Sequence, residues 1–169
     1  MEMETVDFYR SYHTNYHNKM IHLFCIPLIV LTTINFLSLI SVELSVPYLN
    51  LSFRLRQRGG ALMVIPIAGT FNLFHSLYVS YFYLMFNWRI GFIMQCYIAS
   101  LSYCGRYWRE HDRKWVLNNA KVFAIAWILQ FIGHAIEGNR PALMTSLQQS
   151  VFQAPLFTLE YIYPPLLQN

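Results

Sequence analysis

Apolar residues fall along the chain in long uncharged runs separated by short polar segments. Leu23 to Val42 is 20 residues without a charge, matching the ~20 that a helix needs to cross hydrocarbon. Ala61 to Phe86 is 26 uncharged residues, enough to cross with tilt. Ile90 to Gly105 is 16 residues between Arg89 and Arg106. At ~1.5 Å per residue that run reaches ~24 Å, and the flanking arginines can extend it by reaching outward. Val122 to Ile136 is a fourth run, continued backwards by Trp115, Val116 and Leu117. Pro141 to Leu159 is uncharged but rich in Ser, Thr and Gln, and Pro155 is expected to kink or end a helix there. The pattern predicts an all-α fold: a multi-span transmembrane helical bundle with spans near 23–42, 61–86, 90–105 and 116–136. An interfacial or re-entrant helix over 141–163 follows. The loop Glu43 to Gly60, with Pro47, three arginines and a Gly-Gly pair, punctuates the first two spans. The chain reads as a single integral-membrane domain, 1–169.

Composition supports the lipid reading. The set AVILMFWYC supplies 56% of residues and aromatics 17%, while charged residues supply only 12%, against about 25% in a soluble domain. Disorder is excluded, because it needs low hydrophobicity and high charge. The net charge is +4, but the basic residues flank apolar runs rather than forming a patch, so no nucleic-acid partner is expected. Eight Lys and Arg in the first and third connections against four on the other side place the termini outside the cytosol in a four-span, multi-pass arrangement. The first apolar run starts only at Leu23, is long for a signal core and lacks an A-x-A exit, so residues 1–22 are expected in the mature chain. Cys25, Cys96 and Cys104 lie singly in apolar runs and form no CxxC pair, which argues against a disulfide framework or a zinc site.

Two polar blocks carry the chemistry. His13, His17 and His22 crowd before the first run, with Asn15 and Asn18 between them. On a helix His13 and His17 would share a face, whereas His22, nine residues beyond His13, would lie about half a turn out of phase. His13 and His22 converge only if the chain bends between them, and Asn15 and Asn18 are suitable bend or cap residues. An alternative is that these are simple interfacial polar residues. The second block runs from Gln130 through Gly133, His134, Glu137 and Arg140 to Pro141. His134 and Glu137, three apart, share a helix face, with Gln130 one turn below and Gly133 open to a close neighbour. An interface glutamate at a helix end is the plainer reading of Glu137. In a four-span topology both blocks reach the same membrane face. Three imidazoles and a carboxylate suit a non-haem Fe(II) centre with open positions, and zinc would accept the same set. His75, inside the second run, and His111, in a basic loop, read as structural and solvated histidines.

At these residues the sequence resembles the endoplasmic-reticulum 2-hydroxy fatty acid dioxygenases, small multi-span proteins of fatty acid alpha-oxidation. The likeness rests on Tyr12-His13-x-Asn15-x-x-Asn18-x-x-Ile21-His22 followed by Ile26-Pro27. It rests also on Trp127-Ile128-x-Gln130-Phe131-Ile132-Gly133-His134, Glu137 and Arg140-Pro141-Ala142-Leu143, and on Gln153-Ala154-Pro155-Leu156-Phe157 with Glu160. Residues 40 to 120 match in hydropathy alone. The resemblance implies an enzyme of the endoplasmic-reticulum membrane that uses Fe(II) and O2 to cleave a long-chain 2-hydroxy fatty acid. The products are carbon dioxide and the acid one carbon shorter, a step of phytosphingosine breakdown. It implies His13, His22 and His134 as metal ligands, with His17 ranked lower. Glu137 sits three residues after the histidine where the family's glutamate is typically four after. Glu137 and Arg140 are the catalytic candidates, with Arg140 facing the substrate carboxylate, and Asn15, Asn18 and Gln130 are candidates for orienting ligands. A non-enzymatic membrane scaffold or transporter subunit would explain the hydropathy but not the histidine blocks. Diiron lipid hydroxylases need HxxHH boxes, which the chain lacks.

Overall fold

A computed structural model of the chain describes residues 13–45, 50–55, 78, 81, 83–85, 87–138 and 147–162. Helices dominate: α1 (Tyr16–Leu37), α2 (Trp88–His111), α3 (Trp115–Glu137) and α4 (Leu147–Ile162). The expected helical class holds, with one addition. Strands β1 (Ile40–Ser45) and β2 (Asn50–Leu55) form an antiparallel hairpin, with Ile40 opposite Leu55 and Ser45 opposite Asn50. It replaces both the end of the expected first span and the first part of the expected loop. α1 instead begins seven residues earlier than the apolar run, because the polar residues Tyr16 to His22 continue the same helix.

Side-chain capping explains where the helices begin. The Asn15 carboxamide oxygen accepts from the backbone N–H of His17 (2.8 Å) and Asn18 (3.4 Å), satisfying donors that have no partner inside a first turn. Asn87 does the same for α2, accepting from Arg89 N–H at 2.8 Å. Between α2 and α3, Asp112 accepts from the Lys114 N–H (2.8 Å) with its carboxylate and from the Trp115 N–H (3.1 Å) with its carbonyl. α3 ends because Gly138 adopts φ 78°, the left-handed conformation that closes many helices and that glycine enters without strain. Among the described residues, Pro27 lies inside α1 and Pro155 inside α4. Pro155 does not end its helix, which runs on to Ile162. It forfeits one backbone bond, and its buried neighbours Leu156 and Phe157 fix the segment by packing.

Packing divides the chain into two compact units, Met1–Thr32 with Leu117–Asn169, and Thr33–Val116. In the first unit the buried face of α3 is Asn119, Ala126, Gln130, Gly133 and His134, while Ile125, Ile128, Phe131, Ile132 and Ile136 are exposed. α1 buries Asn18, His22 and Thr32 together with Cys25 and Ile26, and exposes Phe24. Polar groups inside and apolar groups outside is the arrangement expected in an apolar solvent. Among the described residues, α1 and α3 are long and apolar enough to cross a membrane. α2 carries Arg89, Arg106, Arg109 and Glu110 and is not among them. The expected span 61–86 lies almost wholly outside the described residues, as do His75, Arg140 and the Pro141–Leu143 turn.

α1 and α3 are joined by a buried hydrogen bond from the Asn119 carboxamide to the Thr32 carbonyl (3.0 Å). Asn119→Ala is expected to destabilise the protein by about 1 kcal/mol in a denaturation series, with metal binding unchanged. In the second unit, Arg109 donates to the Asn35 carboxamide oxygen, beside Gly105, whose missing side chain leaves room for Asn35. At the exposed end of α2, Arg106 donates to Glu110 at 2.8 Å, and this hydrogen bond holds the Glu110 carboxyl below its ordinary range.

Candidate metal centre

The start of α1 and the end of α3 bring three imidazoles together. His13 lies just before α1, on chain outside the helix that bends at the Asn15 cap. His22 is carried by the second turn of α1 and His134 by the last turn of α3. This is the bend that the nine-residue spacing of His13 and His22 demands. All three side chains are buried, and one nitrogen of each lies within 4.8 Å of the others. Ring centroids are 4.4 Å (His13–His22), 4.9 Å (His22–His134) and 5.1 Å (His13–His134) apart. The Phe157 ring of α4 stands 5.2 Å from His13 and closes that flank.

The hydrogen bonds fix which nitrogens face inward. His22 donates from Nδ1 to the Asn18 carbonyl at 2.9 Å, leaving Nε2 with its lone pair toward the cluster. The Nε2 atoms of His13 and His22 are 3.0 Å apart, so in the metal-free protein one donates to the other. Two nitrogens each ~2.1 Å from a common ion and about 90° apart would sit ~3.0 Å from each other. Nδ1 of His134 is buried with no hydrogen-bond partner. An orphaned lone pair or N–H in such a place is costly, and a metal would relieve it. Donor type, spacing and the orphaned nitrogen together fit a divalent transition-metal ion.

Other candidates take distinct places. Glu137 is not in the cluster. Its carboxylate accepts from Thr14 N–H, Thr14 Oγ1 (2.8 Å), Asn15 N–H (3.0 Å) and the Asn18 carboxamide. Asn15 and Asn18 are both bound into this network, so they shape the segment that carries His13 and His22. Gln130, one turn before His134, is buried, and its amide nitrogen has no partner. His17 stands apart, exposed, with its ring 5.7 Å from Tyr16. The expectation that His13 and His17 share a helix face lapses because the helix begins only at Tyr16. His111 is exposed and stacked on Tyr107 at 3.9 Å, as its solvated reading requires. Thr14 and Phe157 were not singled out from the sequence. Thr14 lay in a resembling block as an unspecified position, and Phe157 lay in one without a role.

Over 44 residues, 25% of this chain and 25% of the relative, the chain is 46% identical to the 2-hydroxy-palmitic acid dioxygenase MPO1 of Saccharomyces cerevisiae. The match thus spans about a quarter of that relative's length. No solved structure matches the chain. The family model described as 2-hydroxy-palmitic acid dioxygenase Mpo1-like covers residues 2–166, nearly the full sequence, and on that coverage the chain belongs to the Mpo1-like family.

Proposed function

We propose that this protein is an Fe(II)-dependent dioxygenase of the endoplasmic-reticulum membrane. Its substrates are a long-chain 2-hydroxy fatty acid and O2, and its products are the acid one carbon shorter, CO2 and water. The observation that carries the reading is the convergence of three buried imidazoles, from segments more than a hundred residues apart, on one spot. Family membership supplies the substrate class, and the inverted polarity of α3 supports the lipid setting. The reaction R–CH(OH)–COOH + O2 → R–COOH + CO2 + H2O balances without an added reductant.

His13, His22 and His134 hold the ion in this reading. Bound Fe(II) supplies the one-electron chemistry through which O2 reacts with a closed-shell substrate. Three neutral imidazoles add no negative charge, so the site favours an anionic ligand able to chelate through carboxylate and hydroxyl oxygens. The unpartnered amide N–H of Gln130 can donate to such an oxygen. Arg140, which lies outside the described residues, is assigned to the substrate carboxylate, because a guanidinium meets it in a fork. The exposed isoleucines and phenylalanine of α3 give the alkyl chain an apolar path from the bilayer. The test is anaerobic loading of purified protein with Fe(II), then addition of O2 and 2-hydroxypalmitic acid. Pentadecanoic acid and CO2 are expected in equal amounts. Protein that binds iron and leaves the hydroxy acid intact would overturn the proposal.

A further inference from the structure

We propose that Glu137 is a positioning residue: its carboxylate sets the place of His13 against His22 and His134 and takes no place on the metal. This rests on the metal reading above and assigns a residue that reading leaves without a task.

A carboxylate has about four lone-pair sites, and four donors converge on this one. Oε1 accepts from the consecutive backbone N–H groups of Thr14 and Asn15 and from the Thr14 hydroxyl; Oε2 accepts from the Asn18 carboxamide. The carboxylate oxygens are not among the atoms that converge with the three imidazoles, and turning the group toward them would break this set of contacts and strand donors that now have a partner. The anchoring is also specific in place. Thr14 follows His13 directly, and Asn15 caps the helix that carries His22. Glu137 itself lies one turn beyond His134 on α3. One side chain thus ties together the three segments that bear the imidazoles, across 119 to 123 residues of sequence. His13 lies outside the helices, so its place depends on this anchor more than that of His22 or His134 does.

The test is Co(II) titration of the full-length protein in detergent, followed by visible absorption, with hydrogen exchange measured on the metal-free chain. Glu137→Ala is expected to weaken Co(II) by about 10–100-fold, the usual cost of losing a residue that orients a ligand. Glu137→Gln, which keeps one oxygen for the same donors, loses less. At saturation both variants give the wild-type spectrum, because the ligands are unchanged. If Glu137 acts through the segment that carries His13, the losses at its donors do not add: Thr14→Val/Glu137→Ala binds no more weakly than Glu137→Ala. Exchange rises at residues 14 and 15 in Glu137→Ala and stays level along α3. Thr14→Val, which removes a single donor, weakens Co(II) several-fold and serves if Glu137→Ala does not fold. An altered saturated spectrum in Glu137→Gln, or additive losses, overturns the positioning role while leaving the metal site standing. Wild-type protein that binds no Co(II), yet shows Glu137-dependent protection at 14 and 15, overturns the metal reading and the role with it.

Discussion

Replacing His134 by alanine is expected to abolish both metal content and turnover while leaving the fold intact. Loss of an outer-sphere partner costs about 10–100-fold in affinity, and loss of a ligand must cost more. At His134 the argument is stronger than at the other two positions. His13 and His22 retain each other as hydrogen-bond partners, and His22 also bonds Asn18. His134 Nδ1 has no such partner, so nothing in the metal-free protein depends on that atom. His134→Ala removes an unsatisfied buried group but also a ring packed against His13 and His22, so its thermal midpoint without metal should fall by no more than the resulting cavity costs. Wild-type protein should gain stability when iron is added, by mass action on the folded state, and the variant should not. Iron analysis of the purified proteins, with melting curves at several Fe(II) concentrations, separates the outcomes. A variant that keeps its iron removes His134 from the site.

The same residues show what a sequence can and cannot display. Length and polarity placed α1, because an uncharged run of ~20 residues has few other homes, and α3, because apolar Trp115 to Leu117 continue the shorter run Val122 to Ile136 backwards. Hydropathy reports where a helix meets lipid rather than where it begins, which is why the start of α1 at Tyr16 and the hairpin at 40–55 were not legible. The requirement for a bend between His13 and His22 followed from helical phase alone, and Asn15 supplies it by capping α1. The i, i+3 spacing put Glu137 on the face of His134. It could not reveal the partners, since Thr14, Asn15 and Asn18 lie 119 to 123 residues away. Nor could spacing choose between a carboxylate that binds metal and one that binds backbone N–H groups, since both need the same face. Phe157 was hidden for a similar reason: its contact with His13 depends on α4 continuing through Pro155.

Gly133 is where that long-range docking is most exposed to a single change, and Gly133→Leu is expected to eliminate metal binding. A β-carbon at 133 would overlap the Asn18 carboxamide oxygen and reach Ile21 Cδ1 at 3.4 Å. α1 and α3 approach this closely because position 133 has no side chain. Asn18 cannot simply swing aside, because its carboxamide donates to Glu137 and its carbonyl receives His22 Nδ1. Moving it disturbs two of the contacts that aim His13 and His22. Overpacking of a tight site costs about 1–3 kcal/mol per insertion, equal to a roughly 5–150-fold loss if it falls entirely on the metal-competent arrangement. Gly133→Ala should sit at the low end of that range, and Gly133→Leu, with three more carbons against Asn18 and Ile21, beyond it. Ala135 is exposed on the same helix, so Ala135→Leu adds three carbons toward the surroundings and should bind metal as the wild type does. Measured Co(II) affinities in the order wild type, Ala135→Leu, Gly133→Ala, Gly133→Leu would locate the effect at the helix contact. Equal affinities for Ala135→Leu and Gly133→Leu would mean that the approach of Asn18 to α3 has no part in building the site.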